Sequence, residues 1–550
     1  MKKPALIESC CAFALFALVT IVLLWGQVTH LRSAVPPHQD PLFSIWRLAF
    51  VAHQLRHDPF HLFDANIFYP TRNALAYSDP TLFQGVIATP FLWAGASAIT
   101  AYNVLVLLSF PLCACAVYWL IRELGLGFWC GIIGGVIYAF QPYRFVQYVH
   151  LEFLSSQWIP MSLVFILRCL KDGGVRNGLL AGLFLLLEVL SCLYYAVYWA
   201  TALAIVLPLL IIQTEASARL RGMKHLAVGV LMAGCIAAVY SLPFLGVHRE
   251  VTDRAAEEIA SYSAHASDFL ATPSGNFLYG WTARHVGASE RQLFPGLLAI
   301  GLALVALWPP VPRQRLPYLA LLIFSVWASF GFAGGLYRLL YDLILPYKGL
   351  RAPARFQVLS VMALAVLAAF GVDRLSKLRP RRGPLLVAIC VAVTVTEYAT
   401  TTVLAPLPQI PSLVYRALRT LPRGPLLELP VPLLYRLPGN DPLYQYYSTT
   451  HWYPLMNGYS GYYPLSYVQL LGLFGSFPEG DWLTIARTSG ARYIVVHQDD
   501  VSPAVFTVLI TQLLARDDVT THGRFRALKG EDWLFELKTM ASTRRPSSQP

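Results

Sequence analysis

The stretch YRFVQYVHLEF, residues 143–153, gathers Arg144, His150 and Glu152 among four aromatic residues in a chain otherwise poor in charge. His150 and Glu152 lie two residues apart, too close to share one helix face. At a loop or a helix start, the same spacing aims both side chains at one point. A carboxylate and an imidazole so aimed are the material of proton transfer and of ion binding. The plainer reading makes Glu152 a first-turn residue of the next helix, held there by the helix dipole. Ionisable groups at membrane depth are costly and tend to be functional, so both readings stand. Glu188, inside the apolar LFLLLEVLSC, poses the same question. It either pairs with an arginine for packing or lines a site, and Glu397 is a weaker case of the same kind. Basic residues collect in YRLLYDLILPYKGLRAPARF, residues 337–356, as Arg338, Lys348, Arg351 and Arg355. At an outer membrane surface such groups can hold a phosphate or anchor lipid headgroups.

Nearer the N-terminus, HQDPLFSIWRLAFVAHQLRHDPFHLFDANIFYPTRNALAYSDP carries Asp40, Asp58, Asp64 and Asp79. Asp58-Pro59 and Asp79-Pro80 read as turn or helix-start residues. Asp40-Pro41 fits a helix cap as well as it fits a catalytic acid. Residues 42–56 read as an amphipathic helix lying on the bilayer, apolar at 42, 45, 46, 49 and 50, with Arg47 and Arg56 opposite.

These residues need elements to position them, and composition says which. Of 550 residues, 56% are hydrophobic and 13% charged, with mean hydropathy +0.52. A soluble domain carries about a quarter charged residues, so lipid must cover much of this surface. Apolar runs fall near 6–28, 82–97, 100–122, 127–145, 153–171, 176–192, 193–213, 225–247, 292–309, 316–333, 352–374 and 384–404. The N-terminal run mimics a signal peptide but is too long and lacks a cleavage site, so it reads as the first span. The run 82–97 is short and contains Pro90. If it does not cross, basic residues fall on the inner side of five loops: Arg122; Lys171 and Arg176; Arg219, Arg221 and Lys224; Arg313 and Arg315; and the cluster from Arg374 to Arg382. That is the positive-inside pattern. It gives eleven spans, N-terminus in and C-terminus out, with outer loops at 29–81 and 248–291. The net charge of +12 is then topological, and no basic stripe interleaved with aromatics reads as a nucleic-acid groove. The nine cysteines all lie in or beside apolar runs, which argues against a disulfide framework or a zinc site.

The transmembrane part is expected over 1–405. A Pro-rich linker follows at 406–425, then an extracytoplasmic domain at 426–540 and a disordered tail at 541–550. Strand-like LLELPV, RYIVVH and DWLFELK, with helical SPAVFTVLITQLLARD before the last, indicate a small α/β domain. The Tyr-rich YQYYSTTHWYPLMNGYSGYYPLSY suits sugar stacking or the membrane interface. No Ser-His-Asp order, P-loop, GxGxxG or HExxH occurs, nor an inverted repeat of broken helices of the transporter kind.

One span, an outer loop with an early acid and surface helices, then a second acid after span three: this order resembles the GT-C superfamily of membrane glycosyltransferases. LFDANIFYP, LAYSDP, PYRFVQYVHLE, LRAPARF and NGYSGYYP resemble bacterial membrane proteins of the YfhO-like and related GT-C type. The resemblance implies an enzyme of the bacterial inner membrane whose site faces the periplasm or exterior. It implies a polyprenyl-phosphate sugar donor and a glycan, lipid or protein acceptor. Asp40 would be the general base or metal-associated acid. Glu152 would be the second acid, with His150 where an acidic pair often has its first member. Asp40 and Glu152 are the implied ligands of a divalent cation, Mg or Mn, although one carboxylate with a histidine makes a poorer Mg²⁺ site than two carboxylates. Arg351 or Arg355, with Lys348, would neutralise the leaving phosphate. Asp64, Asp79, Glu188 and Arg144 complete the candidate substrate-binding set. The competing classes are a flippase for lipid-linked glycans and a silent membrane scaffold that binds a partner through its tail.

Overall fold

The computed structural model describes residues 6–286, 289–378, 381, 383–407, 412–527 and 530–538. Lys2, Lys3, Arg379, Arg382, part of the linker and the tail 541–550 lie outside the described residues. The chain divides into two compact units. The first comprises residues 1–44, 79–248 and 252–407, and the second 45–78, 249–251 and 408–550.

The first unit is helical. Its helices include α1 (Leu6–Leu23), α2 (Gln39–His57, which continues into the second unit), α3 (Leu82–Trp93), α4 (Ala98–Glu123), α5 (Phe128–Phe140), α6 (Trp158–Asp172), α7 (Val175–Ser191), α8 (Leu193–Gln213), α9 (Ala216–Glu250), α10 (Ala256–Ser261), α11 (Leu297–Leu307), α12 (Leu316–Ser329), α13 (Gln357–Leu378) and α14 (Gly383–Tyr398). Every apolar run read from the sequence falls on one of them. Among the described residues, six helical segments are long and apolar enough to cross a membrane: α1, α4, Leu151–Asp172, α8, α9 and Pro353–Leu378. The other five expected spans lie on helices of 11 to 17 residues. Breakers shorten some of them: α5 stops at Gln141-Pro142, and α11 at Trp308-Pro309-Pro310. Helix α3 has 12 residues, about 18 Å at 1.5 Å per residue, too short to span ~30 Å of hydrocarbon alone.

Pro353–Leu378 is the axis of this unit. Its membrane-length window is 94% buried, against 17% for α1 and α9. Helix α13 contacts α5, α11 and α12. Small residues allow that approach: a β-carbon at Gly371 would run into the backbone oxygen of Leu302 on α11. The antiparallel pair β1 (Ala34–Val35) and β2 (Ala405–Pro406) fixes the chain just before α2.

The second unit holds a four-stranded sheet in the order β3 (Leu426–Leu429), β4 (Tyr493–His497), β6 (Glu531–Leu537), β5 (Val519–Arg526). β3 and β4 are parallel and the other neighbours antiparallel. Three strands fall on the three strand-like runs, and Pro503–Leu514 forms the helix between the last two. Residues 45–78 belong to this unit through backbone pairing. The amide of Leu455 donates to the Asn66 carbonyl at 2.8 Å, and Phe68 donates to Asn457 at 3.2 Å. Asn66 donates to Ser448 Oγ and the Tyr453 carbonyl at 3.1 and 3.2 Å. Residues 42–56 are helical, as expected, but Arg47 is fully buried rather than on a wet face.

Candidate active site

The break at Pro36-Pro37 starts α2 so that Asp40 sits in its first turn. A second break, Gln141-Pro142, ends α5 and leads into the short turns that carry His150 to the start of the helical turn Leu151–Leu154. The two positions meet. His150 Nε2 lies 3.2 Å from Asp40 Oδ2, and His38 Nδ1 lies 2.8 Å from the same oxygen. Asp40 and His150 are largely buried, with 16% and 18% of their side chains exposed. Burial pushes the Asp40 carboxyl up, but the His150 and His38 imidazoles outweigh it and hold the group well below the usual carboxylate range. Burial likewise pulls the His150 imidazole down, and the charges of Asp40, Glu290 and Glu152 outweigh it, leaving it raised. The buried Nδ1 of His150 has no hydrogen-bond partner. Glu152 is 7% exposed, two residues on, and contributes its charge to the same point.

Beside this pair stands a group that sequence reasoning missed. Glu290 contacts Arg355 Nη2 at 2.5 Å and accepts from Gln147 Nε2 at 2.8 Å. Burial pushes Glu290 up, and the Arg355 guanidinium outweighs it, taking the carboxyl down to about 2. Arg355 stacks on Phe153 and Tyr194 at 4.0 and 4.7 Å. It is a locked strut joining the 248–291 segment to the His150 segment.

Arg338 pairs with Asp342 at 2.9 Å on its own helix, and Arg351 and Lys348 have partners in the segment that carries Glu290. Arg351 Nη1 is 3.2 Å from Glu258, and Lys348 Nζ is 3.4 Å from Asp253. Arg351 and Lys348 remain about one third exposed.

The remaining candidates sit elsewhere. Arg144 is buried, donating to Ser109 Oγ at 2.9 Å and the Leu154 carbonyl at 2.5 Å, with its guanidinium over Phe110. Asp79 accepts the Leu193 amide at 2.8 Å and so caps α8. Asp64 accepts the Asn73 amide at 2.7 Å in a turn of the second unit. Glu188 is 1% exposed on α7, and neither carboxylate oxygen has a hydrogen-bond partner. Glu397 accepts the amides of Leu297 and Leu298 at the start of α11. Among the described residues no three His, Cys, Asp or Glu side chains converge as a metal-ligand set. Asp40 Oδ2 is already engaged by two imidazoles, so Asp40 and Glu152 as placed do not fit the expected divalent cation.

No protein-family model matches the chain, and no curated protein matches it either. Solved structures do. The mycobacterial arabinofuranosyltransferase AftD aligns with TM-score 0.62 at 15% identity, over 98% of this chain and 40% of its own. A mutant of the same enzyme aligns with TM-score 0.62 at 14% identity, over 98% and 42%. This chain thus spans about two fifths of that enzyme's length. ArnT from Cupriavidus metallidurans, bound to undecaprenyl phosphate, gives TM-score 0.48 at 14% identity over 98% of this chain and 99% of its own, too distant to carry weight. The chain shares its fold with AftD over nearly its whole described length.

Proposed function

We propose that the chain is an integral membrane glycosyltransferase that moves a sugar from a polyprenyl-phosphate donor to an extracytoplasmic acceptor. The observation that supports it best is the meeting of Asp40 and His150 at 3.2 Å across 110 positions of sequence, on a fold shared with AftD.

The reaction we infer is an inverting displacement. The acceptor hydroxyl gives its proton to Asp40 as its oxygen attacks the anomeric carbon. The bond from that carbon to the phosphate oxygen breaks, and polyprenyl phosphate leaves. His150 and His38 fix the Asp40 carboxylate from one side, which orients its other oxygen and keeps the group ionised at neutral pH. Glu152 adds negative charge beside His150 and steadies the imidazolium. Arg351 and Lys348 neutralise the leaving phosphate. Arg355 does not take that role in this reading, because Glu290 and two aromatic rings already hold it. The site would face the periplasm or exterior of a bacterial inner membrane, where the prenyl chain lies between helices in the bilayer.

The test is direct. Purified protein in lipid, given a polyprenyl-phosphate sugar and an acceptor, should form a glycosidic bond of inverted configuration and release polyprenyl phosphate. Movement of labelled lipid across the bilayer with no new bond would mark a flippase instead.

A further inference from the structure

Asp40 and His150 come from elements that share no strand or helix, so something behind them must hold the two in register. Three buried side chains do. Gln27, in the helical turn Trp25–Thr29 after α1, Asn103 in α4 and Tyr148 in the turn before His150 are 0%, 0% and 3% exposed. Gln27 Nε2 donates to Asn103 Oδ1, and the Tyr148 hydroxyl donates to Gln27 Oε1 at 2.9 Å. Asn103 Nδ2 donates to the carbonyls of Leu31 and Ala34 at 2.8 and 3.0 Å. The Thr402 side chain is a hydrogen-bonding neighbour of the Tyr148 hydroxyl. A few residues on, β2 (Ala405–Pro406) pairs with β1 (Ala34–Val35). The bonds therefore close a ring that runs from Asn103 through Gln27, Tyr148, Thr402, β2 and β1 back to Asn103.

The ring reaches both halves of the site. Between Ala34 and Asp40 the chain passes through Pro36-Pro37, which fixes two φ angles, so a shift at the Ala34 carbonyl passes to Asp40 with little slack. Tyr148 lies in the turn that the His150 amide closes on the Gln147 carbonyl at 2.9 Å. Amides suit this task, because each offers donors and an acceptor and none carries a charge. Gln27 and Asn103 are both matched at oxygen and at nitrogen. Shifting any member of such a network strands a buried donor or acceptor, which is costly. The ion pair of Asp40 with His150 is a softer restraint, since its energy falls only as the inverse of distance.

We propose that Gln27, Asn103 and Tyr148 are positioning residues that set the distance between Asp40 and His150, and through it the aim of the Asp40 carboxylate at the acceptor hydroxyl. The aim at an acceptor rests on the glycosyltransferase reading above, whereas the Asp40–His150 distance stands on geometry alone. In this arrangement none of the three touches a reacting atom. Cutting the ring should leave donor binding as it is and slow the chemical step, since a base displaced by about 1 Å can lose on the order of 10²-fold in rate.

The variants are Y148F, which removes one hydroxyl and keeps the aromatic ring, and N103A, which removes three hydrogen bonds. Y138F is the matched control: Tyr138 is 2% exposed, and its hydroxyl donates to the Ser156 carbonyl at 3.0 Å, away from the network. With the full chain in nanodiscs and a polyprenyl-phosphate sugar, Y148F should lower kcat about tenfold and N103A about a hundredfold, with KM for the donor within about twofold of wild type. On a D40N background neither should lower turnover by more than about a further twofold, because groups that act through one residue are not additive. The second readout needs no sugar. The His150 imidazole, whose charged neighbours are Asp40, Glu290 and Glu152, is followed by NMR in histidine-labelled chain and assigned with H150N. It should titrate above the ordinary value of about 6.5 in wild type and Y138F, and closer to that value in Y148F and N103A as the contact with Asp40 loosens. Equal losses of turnover and melting temperature in Y148F and Y138F, with the His150 titration unmoved, make the network packing alone and end the proposal. Unchanged kcat in both Y148F and N103A ends it too, as does a loss that persists in full on D40N, because the network would then act elsewhere. If wild type forms no glycosidic bond while Y148F still moves the His150 titration, the glycosyltransferase reading falls and the positioning network stands.

Discussion

Each unit of this protein buries a histidine among carboxylates, and the two differ in what is left over. In the second unit, His497 on β4 is held at both nitrogens, by Asp532 of β6 through Nδ1 and Glu428 of β3 through Nε2, each at 2.8 Å. Tyr415 donates to the same Glu428 oxygen at 2.6 Å. Burial pulls this imidazole down, and the two carboxylates outweigh it and push it up to about 10. In the first unit, His150 is held at one nitrogen only, and its buried Nδ1 has no partner. Its partner Asp40 is gripped on one oxygen by two imidazoles. A saturated imidazole staples three strands and has nothing to offer a substrate. An unsaturated one beside an acid keeps hydrogen-bonding capacity that a ligand can meet.

The sharpest way to break that comparison is D40N. Turnover with a polyprenyl-phosphate sugar should fall on the order of 10²- to 10⁴-fold, the usual worth of a positioned base, while membrane insertion and the hydrogen exchange of β3, β4 and β6 stay as in wild type. Full turnover in D40N would remove Asp40 from the mechanism.

The reverse result is expected from H497Q. Removing one partner of a buried ion pair costs roughly 3–5 kcal/mol, read as faster amide exchange across β3, β4 and β6. The pH dependence follows from the sign of the shift. A raised histidine contributes fully below its unfolded value, about 6.5. That contribution declines as pH rises and is gone once pH passes about 10. Wild-type protection should therefore fall between those limits, and H497Q should flatten the curve. Protection that is flat in wild type would show that His497 does not carry the charge.

These two sites were unequally legible in the sequence. Asp40, His150 and Glu152 stood out because ionisable groups are scarce in an apolar chain, and the helices announced themselves by run length. Glu290 and Glu258 did not. They pair with Arg355 and Arg351, 65 and 93 positions away, and an ion pair across such a gap leaves no periodicity. Strand β5, VTTHGRFR, was invisible because its side chains are mostly polar and half exposed. The 45–78 segment belongs with the second unit through backbone hydrogen bonds, which any side chain can make, so no pattern marks it. Arg47 misled for a related reason: its charge argued for a wet face, and burial beside Trp46 overrode it.

A third measurement separates strut from exchangeable contact within the first unit. R355Q breaks the buried pair with Glu290 and should destabilise the helical unit by roughly 3–5 kcal/mol, seen as lower melting in detergent. R351Q, one third exposed, should change melting by under about 1 kcal/mol. Equal losses from the two would erase the distinction.

The smallest effect tests whether His38 belongs to the site at all. It is about half exposed, yet its Nδ1 is closer to Asp40 Oδ2 than His150 is, 2.8 against 3.2 Å. If Asp40 must be ionised to act, turnover persists as pH falls until it passes the depressed value of that carboxyl, and is lost below it. H38N removes one of the two groups that depress it, so the acid limb should move up toward the ordinary carboxylate range, and only slightly because an exposed partner is screened. H150N removes the buried partner and should move the limb further in the same direction. Raising salt should shrink the His38 effect more than the His150 effect, since screening reaches the exposed imidazole first. An acid limb that stays put in H38N assigns His38 to the surface and leaves the Asp40–His150 pair to orient the carboxylate alone.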